Sequence, residues 1–176
     1  MGVAGCGKSS LARHLAERLG CEMLEGDDYH PAANQEKMRS GIPLEDADRD
    51  PWLRALGEQL ALRQSRVVLA CSSLKRKYRS LLRAADPALR FVYIEIDIQT
   101  AAQRVGSRSE HLFPTTLVNS QFAALESPVG EADVLRVSGL QSTQEQVDAI
   151  RAWLDISKRT AASPAHLSSP PTARRR

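Results

Sequence analysis

The stretch Gly2-Val3-Ala4-Gly5-Cys6-Gly7-Lys8-Ser9 decides the fold of this chain, because it fits the pattern G-x-x-x-x-G-K-[ST] of a phosphate-binding loop. Its three glycines let the backbone turn tightly and expose N–H groups that can hold phosphate oxygens. Lys8 supplies a cation for the β- and γ-phosphates, and the Ser9 hydroxyl is the expected Mg²⁺ ligand. The stretch is therefore predicted to bind the phosphates of a nucleotide.

An amphipathic helix is predicted directly after this loop, from Lys8 to about Leu19, with Leu11 and Leu15 on its buried face and Gly20 at its end. The positive end of its dipole points at the anion that the loop holds. A glycine-rich turn at a helix start can match the motif by chance, but the helix that follows favours nucleotide binding.

A phosphate loop normally follows a buried β-strand, yet Met1 stands where that strand should already have ended. The aliphatic side chains of a strand of ~5 residues contribute free energy comparable with a net stability of ~5–15 kcal/mol. We therefore expect the natural start of the protein to lie upstream of the written one. A stop codon in frame directly before Met1 would contradict this expectation.

Composition predicts one globular domain in a reducing compartment. The chain has 176 residues, 42% of them hydrophobic, and the sparse, odd set Cys6, Cys21 and Cys71 favours free thiols over a disulfide framework. The net charge of +3 depends largely on the arginines at 174–176, so nucleic-acid binding is weakly supported. No stretch approaches the ~18 apolar residues of a membrane span. The expected domain is 1–157, followed by a disordered tail at 158–176.

Strands and helices alternate along the chain, which predicts an α/β fold with a parallel sheet and helices on both faces. With the leading strand restored, the sheet would have five strands. The predicted strands lie near 21–24, 67–71, 91–97 and 134–137. The predicted helices after the first lie near 31–39, 50–64, 74–85 (capped by Ser72 or Ser73), from about 99, near 114–126, and after a capping box at Ser142–Glu145.

Two acids follow the second strand of the predicted sheet. Glu25 and Asp27 flank Gly26 at the carboxyl end of that strand, which is the sheet edge where α/β proteins bind ligands. One acid can orient Mg²⁺ through water, and the other can accept a proton from the hydroxyl that receives the phosphoryl group. The alternative is a solvated acidic loop, since such loops are common.

Two arginines four residues apart, Arg104 and Arg108, lie on one face of a predicted helix that leads into a loop. Phosphoryl transfer needs cations that close over the γ-phosphate, so a lid at 104–115 fits this pattern. A solvated basic helix end is the equal alternative from sequence alone.

The chain resembles the P-loop gluconokinases, the thermoresistant-type gluconate kinase family, over residues from Gly2 to about Trp153. The resemblance rests on a series of motifs in the family's order. They are the loop 2–9, Gly26-Asp27-Asp28-Tyr29-His30-Pro31, Asn34, Glu36-Lys37-Met38, Gly41-Ile42-Pro43-Leu44, Asp46, Asp48-Arg49, Pro51-Trp52-Leu53, Cys71-Ser72-Ser73-Leu74-Lys75, Tyr78-Arg79, His111, Phe113-Pro114, Ser120-Gln121-Phe122, Leu125-Glu126 and Pro128.

This resemblance implies a P-loop NTPase three-layer sandwich similar to shikimate and adenylate kinases. It implies ATP- and Mg²⁺-dependent phosphorylation of D-gluconate to 6-phospho-D-gluconate by a cytoplasmic, homodimeric enzyme. Asp27 is then the expected base, and Ser9 and Glu25 the expected metal-side residues. The expected catalytic cations are Lys8, Arg104 and Arg108, and the expected acceptor-site residues are His30, Lys37 and Arg49, with Lys75 and Arg79 as second candidates.

Three alternatives remain open from the sequence. The closest is another small-molecule P-loop kinase, such as one similar to shikimate kinase, because the loop does not select the acceptor. A second is a nucleotide-binding protein without catalysis, which the missing strand makes credible. A third is nucleic-acid binding through the basic helix Lys75 to Arg83, which scarce aromatic residues disfavour.

Overall fold

A computed structural model describes residues 1–107 and 116–161 of the chain. Strands in this part are β1 (Glu22–Glu25), β2 (Val67–Ala70), β3 (Phe91–Glu95) and β4 (Val134–Ser138). Helices are α1 (Lys8–Leu19), α2 (Ala32–Arg39), α3 (Asp46–Ala61), α4 (Arg76–Ala85), α5 (Ile98–Gly106), α6 (Thr116–Ala124) and α7 (Thr143–Ala161), and a 3₁₀ turn spans Gly26–Tyr29.

The strands form two parallel pairs. β1 pairs with β2 from Glu22 opposite Val67, and β3 pairs with β4 from Phe91 opposite Val134. The side chains of α1, α5, α6 and α7 pack in one apolar cluster, and those of α3 and α4 pack in a second. The predicted α/β class, with parallel strands and helices on both faces, is confirmed.

The first two residues of the chain link the two strand pairs. The amino group of Met1 donates to Val92 O, Ile94 N–H donates to Met1 O at 3.0 Å, and Gly2 N–H donates to Ser72 O at 3.1 Å. A largely apolar cavity of about 460 Å³ lies between the pairs. The five-stranded sheet stays a prediction.

Two helix starts differ from the sequence expectation. α3 begins at Asp46 rather than near 50, because Glu45 N–H donates to Asp48 Oδ2 at 2.8 Å in a capping box and Pro51 is tolerated inside the helix. α4 begins at Arg76, after Lys75, so the cap predicted at Ser72 or Ser73 is wrong. The Ser73 hydroxyl instead donates to the Cys71 thiol.

The carboxyl-terminal helix α7 starts as predicted. Ser142 N–H donates to the Glu145 carboxylate at 2.8 Å, and Glu145 N–H donates to the Ser142 hydroxyl at 3.3 Å. The helix continues to Ala161, so the boundary predicted for the tail lies inside it. Most of the predicted lid, 108–115, and the rest of the tail lie outside the described residues. Within the described part, no helix has the length and apolar character needed to cross a bilayer.

Candidate active site

A pocket of about 400 Å³ lies at the carboxyl ends of the strands, where the phosphate loop, the 3₁₀ turn after β1 and the loop after β2 meet. Residues from all three segments line it, together with residues of α3 and α6. Ligand sites of open α/β folds occur at this edge of the sheet. The predicted site residues that line the pocket are Ala4, Gly5, Gly7, Lys8, Ser9, Asp27, His30 and Arg49.

The backbone of the phosphate loop leaves donors free. Gly5 adopts φ +81°, and a Cβ there would lie 2.5 Å from Ala101 O, so only glycine fits the turn. In the part of the chain that the structure describes, the N–H groups of Gly5, Gly7 and Lys8 donate to no protein acceptor. Such a concave row of free N–H groups at a helix start is an anion site.

The remaining residues of the loop hold it in place. Gly2 donates to Ser72 O as described, Val3 and Cys6 are buried in the core, and Cys6 N–H donates to Val3 O at 3.3 Å. Lys8 Nζ donates to Val3 O at 3.0 Å, which folds its side chain back over the loop. The ammonium group is therefore already beside the position where the loop would hold phosphates.

Ser9 and Glu25 lie next to each other, although they belong to different elements. Burial is the main cause that raises the Glu25 pKa; the nearby Ser9 hydroxyl acts against this shift, and the charge of Asp27 acts with it. No cluster of three or more His, Cys, Asp or Glu side chains suits a metal in residues 1–107 and 116–161. Mg²⁺ at nucleotide sites needs only one or two protein ligands beside water and phosphate, so this donor pair fits it.

Asp27 lies on the 3₁₀ turn that begins as soon as β1 ends. The turn packs closely on β2, since a Cβ on Gly26 would lie 2.5 Å from Ala70 O. The Trp52 indole N–H donates to Gly26 O at 2.7 Å and fixes the turn to α3. The Asp27 side chain remains 73% exposed, so its carboxylate is available to a ligand in the pocket.

His30 forms the buried wall beside Asp27. Its ring stacks on Trp52 with centroids 4.1 Å apart, and its Nε2 lies 3.9 Å from Asp27 Oδ1. Burial is the main cause that lowers the His30 pKa from 6.5 to about 4, which outweighs the opposing charge of Asp27. The imidazole is therefore neutral at physiological pH and can act as a hydrogen-bonding group. Asn34 lies against its other nitrogen, 3.4 Å from Nδ1.

A second pocket of about 440 Å³ adjoins the first, and Arg49 and Ser120 line both of them. Lys75 lines the second pocket, and its ammonium group donates to Asp46 Oδ1 at 2.8 Å. Arg49 donates to Leu44 O, so its guanidinium lies between the two spaces. The combined space has the Asp27 carboxylate at one end, and at the other it is lined by Arg49 and Lys75 together with the acids Glu45 and Asp46.

Comparison with known proteins agrees with this geometry. A family model described as shikimate kinase matches residues 4–148. A gluconokinase of Gluconobacter oxydans is 47% identical over 143 residues, which are 79% of this chain and 80% of the relative. The thermoresistant gluconokinase of Escherichia coli is 43% identical over 78% of this chain and 81% of its own. The crystal structure of a gluconokinase from Sinorhizobium meliloti has a TM-score of 0.84 at 41% identity and covers 93% of this chain and 95% of its own.

The chain belongs to the gluconokinase family. The match to the shikimate kinase model and the identity to the gluconokinases cover most of the same chain, so both describe one kinase domain. Membership of a kinase family implies use of a nucleotide as phosphoryl donor.

One predicted acceptor-site residue of this gluconokinase-family chain is buried in the scaffold. The Arg79 side chain is 0% exposed and donates to both oxygens of Glu131, at 3.1 and 2.5 Å. It also donates to the carbonyl oxygens of Ser73, Leu74 and Glu126. Arg76 and Arg83 pair with the same carboxylate. We call Arg76, Arg79, Arg83 and Glu131 the Glu131 cluster; it lies outside the residues that line the two pockets.

Two other predicted cations also have protein partners. Lys37 donates to Asp48 Oδ1 at 2.6 Å, and this pair does not line either pocket. Arg104, at the end of α5, donates to Gly139 O at 3.0 Å, on the loop between β4 and α7. Arg108 lies outside the described residues. The structure thus brings together Lys8, Ser9, Asp27, His30 and Arg49, with Glu25 and Lys75 adjacent.

Sequence reasoning assigned no role to three residues that shape the site of this family member. Trp52 supports both Gly26 and His30, and Asn34 joins His30 to Asp48 O at 2.7 Å. Gln121 accepts a hydrogen bond from Ala4 N–H at 2.7 Å across 117 residues of sequence. All three occur in the motifs on which the resemblance rests, which is the one signal in the sequence that could have drawn attention to them.

Proposed function

We propose that the protein is a gluconokinase that transfers the γ-phosphoryl group of ATP to the terminal hydroxyl of D-gluconate, giving 6-phospho-D-gluconate. The observation that carries the proposal is a single pocket with free loop N–H groups and Lys8 beside the exposed carboxylate of Asp27. The relatives named gluconokinase, at 43–47% identity, support this acceptor over others.

The nucleotide end of the site is the loop 2–9 and the start of α1. The N–H groups of Gly5, Gly7 and Lys8 and the Lys8 ammonium would hold the β- and γ-phosphates. Ser9 would hold Mg²⁺ directly and Glu25 would hold one of its water ligands; the ion would offset the negative charge of the phosphates. The closeness of the Ser9 hydroxyl to the Glu25 carboxyl group supports that assignment.

Asp27 orients the terminal hydroxyl of the sugar acid. The hydroxyl oxygen forms a bond to the γ-phosphorus as the bond to the ADP oxygen breaks, and the hydroxyl proton passes to the Asp27 carboxylate. Neutral His30 stands beside Asp27 and can hydrogen-bond the polyol without adding charge. Trp52 and Asn34 keep its ring in that orientation.

We assign Arg49 to the carboxylate of gluconate and keep Lys75 as a second candidate, because its ammonium group would first have to leave Asp46. They line the second pocket, which continues from the Asp27 end through Arg49. The Arg49 guanidinium can hold a carboxylate in bidentate fashion. Lys37 orders the start of α3 through Asp48 and remains a weaker candidate. We assign Arg79 to positioning, since it holds the loop that carries Lys75.

Lid arginines complete the proposed mechanism. Arg104 and Arg108 would approach the γ-phosphate when residues 104–115 close, and closure would exclude water that otherwise hydrolyses ATP. For Arg104 this requires release of Gly139 O, which its guanidinium now holds.

We also propose that the enzyme is cytoplasmic and forms a homodimer. Size-exclusion chromatography with light scattering tests the dimer directly.

A substrate panel tests the proposed function. ADP release is coupled to an optical readout with ATP, Mg²⁺ and either D-gluconate, shikimate or no acceptor. The expected result is release that depends on D-gluconate and exceeds release with shikimate by at least about 100-fold, because unpaired polar groups in a site reject the wrong acceptor strongly. Equal rates with shikimate would favour another small-molecule P-loop kinase. ATP binding without any turnover would favour a nucleotide-binding protein without catalysis.

Nucleic-acid binding is disfavoured by the partners of the basic helix. Lys75 and Lys77 pair with Asp46, while Arg76, Arg79 and Arg83 pair with Glu131. These cations are largely neutralised by protein carboxylates, so few remain for phosphate contacts. Salt-dependent binding to DNA or RNA would overturn this conclusion.

A further inference from the structure

Gln121 of α6 contacts the phosphate loop in a way that fixes both ends of its side-chain amide. Its Oε1 accepts the hydrogen bond from Ala4 N–H at 2.7 Å. Because a backbone N–H can only donate, the atom that faces it has to be the amide oxygen, and the opposite orientation is excluded. The Nε2 group is therefore the atom of the side-chain amide that points away from Ala4.

The Nε2 group of Gln121 is an unused pair of donors. It donates to no group within residues 1–107 and 116–161, although the side chain is only partly exposed. Gln121 lines the same pocket as Lys8 and Asp27. An oriented amide with free N–H groups in a partly closed site is suited to stabilising an anion.

The position of Gln121 corresponds to the junction between nucleotide and acceptor. Gln121 holds Ala4 in the phosphate loop. The next residue toward the amino terminus, Ser120, lines both the first pocket and the second pocket, to which we assign the acceptor. The phosphoryl group has to cross this junction as it leaves ADP and joins the hydroxyl that Asp27 holds. A donor at the junction can contact the moving group throughout the transfer.

We propose that Gln121 is a catalytic residue whose Nε2 donates a hydrogen bond to the γ-phosphoryl group during transfer, while Ala4 N–H holds the amide in the required orientation. This proposal rests on the proposed function, because it places the acceptor hydroxyl at Asp27. The contact distinguishes ATP from ADP, since ADP lacks the group to which Nε2 donates.

Gln121→Glu separates this role from simple support of the loop. The carboxylate that this substitution introduces would keep an oxygen that can accept from Ala4 N–H, but it loses the donors and places a negative charge toward the γ-phosphate. Asn119→Asp is the matched control, because Asn119 is exposed on the same helix and the change adds the same charge. Gln121→Met removes both acceptor and donors without adding charge.

The experiment measures kcat for D-gluconate phosphorylation and, by calorimetry with Mg²⁺, binding of ADP and of a non-hydrolysable ATP analogue with a β–γ imido bridge. For Gln121→Glu we expect kcat to fall about 100-fold, as for loss of one oxyanion donor. Analogue affinity should fall at least about tenfold, a difference of ~1.4 kcal/mol, while ADP affinity stays within about twofold. Asn119→Asp should match the wild type, and Gln121→Met should also lose kcat.

Near-normal kcat in Gln121→Glu would overturn the proposal, because support of the loop alone survives that change. Equal loss of ADP and analogue affinity would overturn it as well, since a distorted loop weakens both. If Gln121→Glu does not fold by circular dichroism, Gln121→Met is measured instead. Because this variant also loses the acceptor for Ala4 N–H, both affinities should fall, analogue affinity at least about tenfold more than ADP affinity, and an equal loss would overturn the proposal. The binding measurements do not involve the acceptor, so they still decide the role of Gln121 if the wild type fails to phosphorylate gluconate.

Discussion

The pocket lined by Lys8 and Asp27, here called the phosphate pocket, and the Glu131 cluster both gather charged groups near the loop after β2. They differ in how many hydrogen-bonding groups have partners. In the Glu131 cluster, Arg79 is fully buried and donates to one carboxylate and three carbonyl oxygens. In the phosphate pocket, the N–H groups of Gly5, Gly7 and Lys8 have no acceptor among the described residues, and the Asp27 carboxylate is mostly exposed.

The difference separates charges that stabilise the fold from charges that act on a ligand. Arg79, with support from Arg83, lowers the Glu131 pKa to about 2, so this carboxylate is ionised and paired at any working pH. Such a pair has little capacity left for a substrate. Donors and acceptors that have no protein partner can bind a ligand directly, and in this chain they occur together where ATP and an acceptor can meet.

Substitution of Asp27, the proposed general base, tests whether the phosphate pocket is the catalytic region and has the largest expected effect. We expect Asp27→Asn to lower kcat by about 10³–10⁴-fold, since general base catalysis contributes ~10²–10⁴ and the amide cannot accept the proton. ATP binding and the melting temperature should stay unchanged, because the side chain is exposed. The coupled ADP assay measures the rate, and activity near the wild-type level would remove Asp27 from the mechanism.

Breaking the Glu131 cluster tests the structural side. We expect Arg79→Met to lower the free energy of unfolding by about 3 kcal/mol, because the nearly buried Glu131 carboxylate keeps only Arg76 and Arg83, and three carbonyl groups lose a charged donor. Urea titration followed by circular dichroism measures this change. The matched control is Arg54→Met, which loses an exposed pair with Asp50 and should cost less than about 1 kcal/mol.

A similar stability for both arginine variants would contradict the distinction between the two regions. A folded Arg79→Met enzyme with normal stability and a raised KM for gluconate would return Arg79 to the acceptor site.

Arg49 combines features of both regions: its guanidinium has a protein partner, Leu44 O, and it also lines the phosphate pocket. We expect Arg49→Lys to raise the KM for gluconate about tenfold with kcat nearly unchanged, because a lysine loses the bidentate contact with a carboxylate worth ~1.5 kcal/mol. Arg54→Lys on the same helix is the control and should leave both constants unchanged. An effect on kcat alone would show that Arg49 acts on the phosphoryl group instead.

His30 gives a predicted effect of pH on stability. Its pKa in the folded protein is about 4 against 6.5 unfolded, so the unfolded chain binds the extra proton between these values. Stability from this residue is complete above pH 6.5 and falls as pH decreases toward 4, by at most ~1.4 kcal/mol per pH unit. His30→Gln should reduce that slope, while the exposed His14→Gln should not. Urea titrations at pH 7.5 and 5.0 compare them, and equal slopes for all three proteins would contradict the assignment.

The sequence predicted those parts of the fold and site that depend on local pattern. The phosphate loop, α1 and the acids after β1 are short motifs whose chemistry depends on neighbours in the chain, and the alternation of strands and helices predicted parallel pairing. His30 and Arg49 were expected only through the resemblance to the family, because no short sequence motif links a residue that follows β1 to a residue of α3.

Contacts between distant residues were not predictable from the sequence. The cations of α4 resemble a solvated basic face, and their partner Glu131 lies 52 residues beyond Arg79. Gln121 reaches Ala4 across 117 residues, and no periodicity indicates such a pair. The start of α3 was predicted four residues late because Asp50-Pro51 resembles a helix start, while the capping box of Glu45 and Asp48 begins it earlier.

The most direct measurement is equilibrium binding of ATP with Mg²⁺ to the folded protein, compared between the wild type and Lys8→Met. The wild type is expected to saturate below about 1 mM ATP, within the usual range for enzyme substrates. The variant is expected to bind at least about tenfold more weakly, since it loses a charged hydrogen bond to phosphate worth ~1.5–3 kcal/mol. A folded wild type that does not retain ATP at millimolar concentration would contradict the account.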